Sequence, residues 1–100
     1  MPVQLVRFTT READVPAVEE AMDTMVAALR RARPHGIRFA ACKLADGVTF
    51  LNLLELDEGV DNPLPGIPEC RAYQQLIPEW SLEPTGPHPV TVLGSYELFG

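Results

Sequence analysis

The stretch from Ile37 to Leu56 constrains the fold of this chain more than any other. At its centre stands Ala45-Asp46-Gly47-Val48. An Asp-Gly pair between two apolar runs is a strong hairpin signal, because both central positions of a tight turn tolerate positive φ. It predicts strands over Ile37–Leu44 and Val48–Leu56 and sets their register. With Ala45 opposite Val48, Lys43 faces Phe50, Ala41 faces Asn52, Phe39 faces Leu54 and Ile37 faces Leu56 on one side of the sheet. On the other side Leu44 faces Thr49, Cys42 faces Leu51, Ala40 faces Leu53 and Arg38 faces Glu55. The last is an opposite-charge cross-strand pair, which supports the register. An antiparallel sheet with one wet face alternates apolar and polar residues. This hairpin is apolar on both faces, so both faces need cover.

The flanking segments supply cover for one of them. Val15, Val18, Met22, Met25, Val26 and Leu29 recur at spacings of three and four, the period of an amphipathic helix. Asp14 stands at the N-cap position and Pro16 in the first turn, where a missing N–H costs little. Arg30, Arg31 and Arg33 lie at the negative end of the helix dipole, which assigns them a structural role ahead of an anion site. Pro34, His35 and Gly36 then end the helix. Val3–Thr10 reads as a strand. Asp57–Pro68 is irregular and Pro-rich, which suggests an ordered excursion. Ala72, Tyr73, Leu76, Ile77 and Trp80 make a short second helix that Pro78 should end or kink near Ile77. Glu83–Pro89 is a loop, and Val90–Phe99 reads as the last strand, with Val92, Tyr96 and Leu98 on one face.

With 100 residues, the chain is long enough for one domain, residues 1–100. Its net charge of −6 argues against nucleic acid or an anionic membrane as main partner. No run approaches the ~18 apolar residues of a membrane span, and no signal peptide is visible, so the expected location is the cytoplasm. Cys42 and Cys70 form no CxxC motif and are expected to be reduced, packed thiols. His35 and His88 have no metal-ligand partners at suitable spacing, and no metal or cofactor is expected.

The element order β-α-β-β-α-β gives an α+β class, ferredoxin-like fold: a four-stranded antiparallel sheet with two helices on one face. Two helices cover one face only. A second copy of the chain is the simplest cover for the other, so a homodimer is expected. Taken together, the pattern resembles the dimeric α+β barrel superfamily, and within it the antibiotic biosynthesis monooxygenase group and its small uncharacterised relatives. The likeness spans almost the whole chain. It is most specific at Asp46-Gly47-Val48-Thr49-Phe50, Asn62-Pro63-Leu64, Arg71-Ala72-Tyr73-Gln74 and Gly94-Ser95-Tyr96. The resemblance implies a barrel closed across the dimer, with a pocket in each subunit between its sheet and helices. It also implies cofactor-independent oxygenation of a small electron-rich aromatic or enolisable compound. The chain departs from the family where Glu55 is followed by Leu56-Asp57-Glu58 rather than an aromatic, and in a second helix without His. That departure keeps a second reading open: a non-catalytic small-molecule-binding or assembly protein on the same barrel.

Asn52 is the candidate catalytic residue. It interrupts Phe50, Leu54 and Leu56 on the helix-facing side of a central strand, opposite the small Ala41. A buried amide must find partners or it costs about 1–3 kcal/mol. Its NH₂ group would suit a substrate carbonyl or developing oxyanion, or else it is a core amide bonded to backbone or water. Phe39 shares its face. Tyr73 and Trp80, seven apart on one side of the second helix, would wall a pocket for a planar ligand or simply pack helix to sheet. Tyr96, on the last strand, is a similar candidate. Arg7, on a central strand, would bind an acidic ligand, pair with Glu97 or extend to solvent.

Overall fold

A computed structural model describes residues 2–98, and the Asp46-Gly47 turn organises its central hairpin. The chain runs β1 (Val3–Thr9), α1 (Val15–Ala32), β2 (Ile37–Lys43), β3 (Thr49–Leu56), α2 (Pro68–Trp80) and β4 (His88–Val90). Single 3-10 turns lie at Glu12–Asp14 and Leu64–Gly66. The antiparallel sheet has the order β2-β3-β1-β4, the ferredoxin-like α+β arrangement.

The hairpin register is the one its turn specifies, with Phe39 opposite Leu54, Ala41 opposite Asn52 and Arg38 opposite Glu55. Gly47 takes a φ of 78°, the left-handed conformation that favours glycine. Asp46 fastens the turn. Its Oδ1 accepts from the backbone N–H groups of Val48 and Thr49, both at 2.9 Å, and its Oδ2 accepts the Thr49 hydroxyl at 2.7 Å. These bonds, the Thr49 hydroxyl foremost, hold the Asp46 carboxyl below its ordinary pKa.

One face of the sheet is covered. Phe8 of β1 and Phe50, Leu54 and Leu56 of β3 are buried against Val18, Met22 and Met25 of α1 and Cys70, Tyr73 and Ile77 of α2. Phe8 and Phe50 stack with ring centroids 5.6 Å apart. At the end of α1, the Arg33 backbone and the Arg31 side chain serve the fold. Arg33 takes a left-handed φ of 47°, and its N–H closes the helix on the Leu29 carbonyl at 2.9 Å. Arg31 bridges to Glu69 of α2 at 2.7 Å. At the other end Asp14 holds the N-cap position without a side-chain cap bond, and its carboxylate lies 3.4 Å from Arg11 Nε instead.

The opposite face carries Val3, Leu5, Leu51, Leu53, Ala40 and Cys42, half-buried and outside the core cluster. Arg38 and Glu55 pair at its margin, and Arg38 also reaches Asp57. Those bonds, to Asp57 first and then Glu55, raise the Arg38 pKa. The cluster lies in solvent, where ion pairs contribute little. Arg38→Ala is therefore expected to leave the thermal midpoint nearly unchanged and ligand affinity intact, as calorimetry would show. A large drop in either would make Arg38 a ligand or core contact.

Two elements differ from the sequence expectation. Helix α2 begins at Pro68 and runs through Pro78 to Trp80, rather than ending near Ile77. Pro78 removes one N–H, but the Ser81 N–H still reaches the Ile77 carbonyl at 2.8 Å and completes the last turn. Strand β4 covers only His88–Val90, not Val90–Phe99. The register supplies the reason. Leu5 pairs with His88, Gln4 with Pro89 and Val3 with Val90, so β1 has no residues left to pair beyond that point. The chain from Thr91 to Leu98 leaves the sheet, with Leu93, Tyr96 and Leu98 exposed. Phe99 lies outside the described residues.

Candidate active site

Even-numbered residues of β1 and β3 point toward the helices, because side chains alternate along a strand. Gln4 and Val6 from β1, and Asn52 and Leu54 from β3, thereby form the floor of a cavity of about 380 Å³. Phe39 of β2 and Met25 of α1 line it too. Tyr73, Gln74, Ile77 and Pro78 of α2 form the roof. The mouth is edged by Asn62, Leu64 and Pro65, and by a strap, Thr85-Gly86-Pro87. The strap is tied to β1 by the Leu82 N–H on the Thr9 carbonyl at 2.9 Å and the Thr85 hydroxyl on the Arg7 carbonyl at 2.6 Å.

At the centre of the wall is one buried polar pair. Asn52 is 6% exposed and Tyr73 3%. Asn52 Nδ2 donates to the Tyr73 hydroxyl oxygen at 2.8 Å. The NH₂ group expected to face a substrate oxyanion is thus engaged with Tyr73. The atom left without a partner is the carbonyl Oδ1. A buried acceptor in that state has lost water and gained nothing in exchange. The pair thus holds an unused acceptor on Asn52, itself screened from solvent, and, on Tyr73, a hydroxyl proton not consumed by the Asn52 bond.

Burial pushes the Tyr73 pKa up to about 12, with the Asn52 bond working against it. In the unfolded chain the value is about 10. Above that the unfolded state gives up the proton while the folded state keeps it, so stability is expected to fall with rising pH until the folded group titrates near 12. Tyr73→Phe should remove this component of the alkaline loss. Thermal midpoints of both proteins across the window would check it, and parallel curves would show that Tyr73 is not shifted.

Three of the residues singled out in the sequence, Asn52, Tyr73 and Phe39, meet at the cavity. Trp80 does not line it. Its ring stands behind Tyr73, centroids 6.0 Å apart and tilted by 55°, where it supports the roof. Tyr96 lies in the departing tail at 86% exposure, away from the cavity. Arg7 is exposed on the outer face, and no ion pair joins it to Glu97 among the described residues. Among those residues no cluster of three or more His, Cys, Asp or Glu side chains could hold a metal ion. Cys70 is buried in the core, which pushes its thiol pKa up, and Cys42 lies on the outer face. Gln4, Gln74 and Thr85 are wall residues that sequence reasoning passed over. Gln4 carried the same signal as Asn52: an amide on the apolar, helix-facing side of a strand.

No protein-family model matches the chain, and no curated protein matches it. Solved structures do. A Nitrosomonas europaea protein described as a candidate antibiotic biosynthesis monooxygenase superposes with a TM-score of 0.75 at 18% identity, covering 94% of this chain and 100% of that one. Rv0793 of Mycobacterium tuberculosis gives a TM-score of 0.73 at 21% identity, over 95% of this chain and 98% of that one. A further antibiotic biosynthesis monooxygenase structure gives 0.68 at 10% identity, over 94% and 100% of the two chains. Identities this low speak to architecture, and across nearly its whole length this chain has the fold of structures named antibiotic biosynthesis monooxygenases.

Proposed function

We propose that this chain is a cofactor-independent monooxygenase acting on a small electron-rich ring compound in the helix–sheet cavity, working in the cytoplasm as a homodimer. The observation that carries the reading is the cavity itself. It is roofed by α2, walled mainly by apolar side chains and marked at its centre by the Asn52–Tyr73 pair. Its volume of about 380 Å³ lies within the range of small-molecule sites. The fold shared with structures of that name supports the oxygenase class. The apolar outer sheet face supports a second copy as partner.

The chemistry asks little of the protein. A phenol hands one electron and its hydroxyl proton to O₂, giving a phenoxyl and a hydroperoxyl radical held in one cage. They join at a ring carbon to give a hydroperoxy-dienone. Loss of water then leaves a quinone: naphthol plus O₂ gives naphthoquinone plus water. The substrate supplies all the electrons, one oxygen atom enters the product and the other leaves as water. The site would orient the ring, keep bulk water from the radical pair and hold the hydroxyl against Asn52.

Naphthol and an oxygen electrode test this. Oxygen uptake should rise in proportion to protein, with one quinone formed per O₂ and one heavy-isotope oxygen atom in the quinone when labelled gas is used. Uptake no faster than in protein-free buffer, over naphthol and more electron-rich dihydroxynaphthalenes, would overturn the oxygenase reading.

A further inference from the structure

Among the described residues the cavity wall holds no charge. From β1, α1, β2, β3, α2 and the strap, no described Asp, Glu, His, Lys or Arg side chain lines it, and Tyr73 is the only titratable group among the described residues that do. Of the charged residues of α2, Arg71 stands at the rim, outside the wall, and Glu69 is held by α1. Arg71 donates to the Pro65 carbonyl at 3.2 Å, and Glu69 pairs with Arg31. An anion passing that rim would leave water and meet no cation among the described residues of the wall, in a chain whose net charge is already −6. A neutral hydroxyl meets the opposite situation, because Asn52 Oδ1 is a buried acceptor still lacking a donor.

We propose that the cavity selects the neutral, protonated form of weakly acidic ring compounds, with the ligand hydroxyl donating to Asn52 Oδ1. This rests on the helix–sheet cavity being the binding site, and it goes beyond the oxygenase reading by fixing the protonation state and donor group of what binds. Oδ1 is screened from solvent in the structure, so the ligand hydroxyl meets it only as the amide turns about its last bond, which carries Nδ2 away from the Tyr73 hydroxyl. Tyr73 keeps its own proton throughout the neutral range, since burial raises its pKa to about 12. The wall therefore contributes neither a base to ionise the ligand nor a cation to hold the ion.

para-Nitrophenol tests this directly, because its anion is yellow, its neutral form is not, and it titrates near neutrality. At its own midpoint pH, adding the full chain should bleach the phenolate band saturably. The apparent dissociation constant should then rise by about tenfold for each pH unit above the midpoint, as the competent fraction falls. para-Nitroanisole, the same ring without the donor, should bind at least tenfold more weakly, and Asn52→Leu should erase that difference. A phenolate band that grows or persists when the ligand binds would overturn the proposal, as would equal affinity for the two compounds. If neither compound binds, as judged by Trp80 fluorescence and by calorimetry, the cavity reading falls with it. Binding of the neutral form without oxygen uptake would support this proposal while overturning the oxygenase reading.

Discussion

Leu53→Glu is expected to turn a dimer of about twice the 11.0 kDa chain mass into a folded monomer. Leu53 sits at the middle of the outer sheet face, paired across β1 with Leu5 and across β2 with Ala40. It lies outside the core cluster, so the substitution spares the subunit's own core. In a two-fold interface the substitution acts twice. Each copy loses about 1.5–3 kcal/mol of apolar burial and gains a carboxylate that must be desolvated without a partner. A total of at least ~3 kcal/mol weakens association by a hundredfold or more. Light scattering at micromolar concentration should report the mass, and far-ultraviolet dichroism should show the secondary structure retained. A variant that stays dimeric, or a parent protein that is monomeric at high concentration, would remove the sheet face as the interface.

The same hairpin shows how far the sequence reaches. Its turn, its register and the two-faced apolar pattern were legible because Asp46-Gly47 fixes local geometry and alternation then assigns every side chain to a face. The amphipathic α1 was legible for the same kind of reason, with its period, its proline and its terminal arginines all agreeing. The tail was not. Val90 to Leu98 alternates as a strand would, but a strand also needs a partner, and β1 runs out at Val3. That is a property of the neighbour's length, invisible in the segment itself. The site was legible in part. Asn52 announced itself as an amide among apolar residues on a buried face, and Tyr73 followed from helical spacing. Trp80 shares that spacing yet stands behind Tyr73, because helical periodicity gives a side and not a depth. The direction of the Asn52 amide was beyond sequence reasoning. It depends on the tyrosine hydroxyl 2.8 Å away, on an element separated by an irregular excursion whose path no local pattern sets.

Replacing both members of the polar pair, Asn52→Leu with Tyr73→Phe, is expected to leave a protein at least as resistant to heat as the parent, yet with naphthol affinity reduced at least tenfold and oxygen uptake abolished. Each single change should destabilise by about 1–3 kcal/mol, since it leaves the other polar group buried without its partner. Asn52→Leu strands the Tyr73 hydroxyl, and Tyr73→Phe strands the Asn52 NH₂. Together the two changes remove both groups, and with them Oδ1, which already lacks a partner in the parent. Leu and Phe are close in size to the residues they replace, so the cavity keeps its volume and apolar character. The stabilities should then be strongly non-additive, with the double variant above either single one. Such a result would separate the two roles of the pair, because a group kept for packing would take stability with it when removed. Thermal unfolding of the four proteins, with naphthol titration and oxygen uptake on the same samples, makes the comparison. A double variant less stable than both single variants would make the pair a structural device, and one that still binds and consumes oxygen at the parent's level would remove Asn52 and Tyr73 from the site.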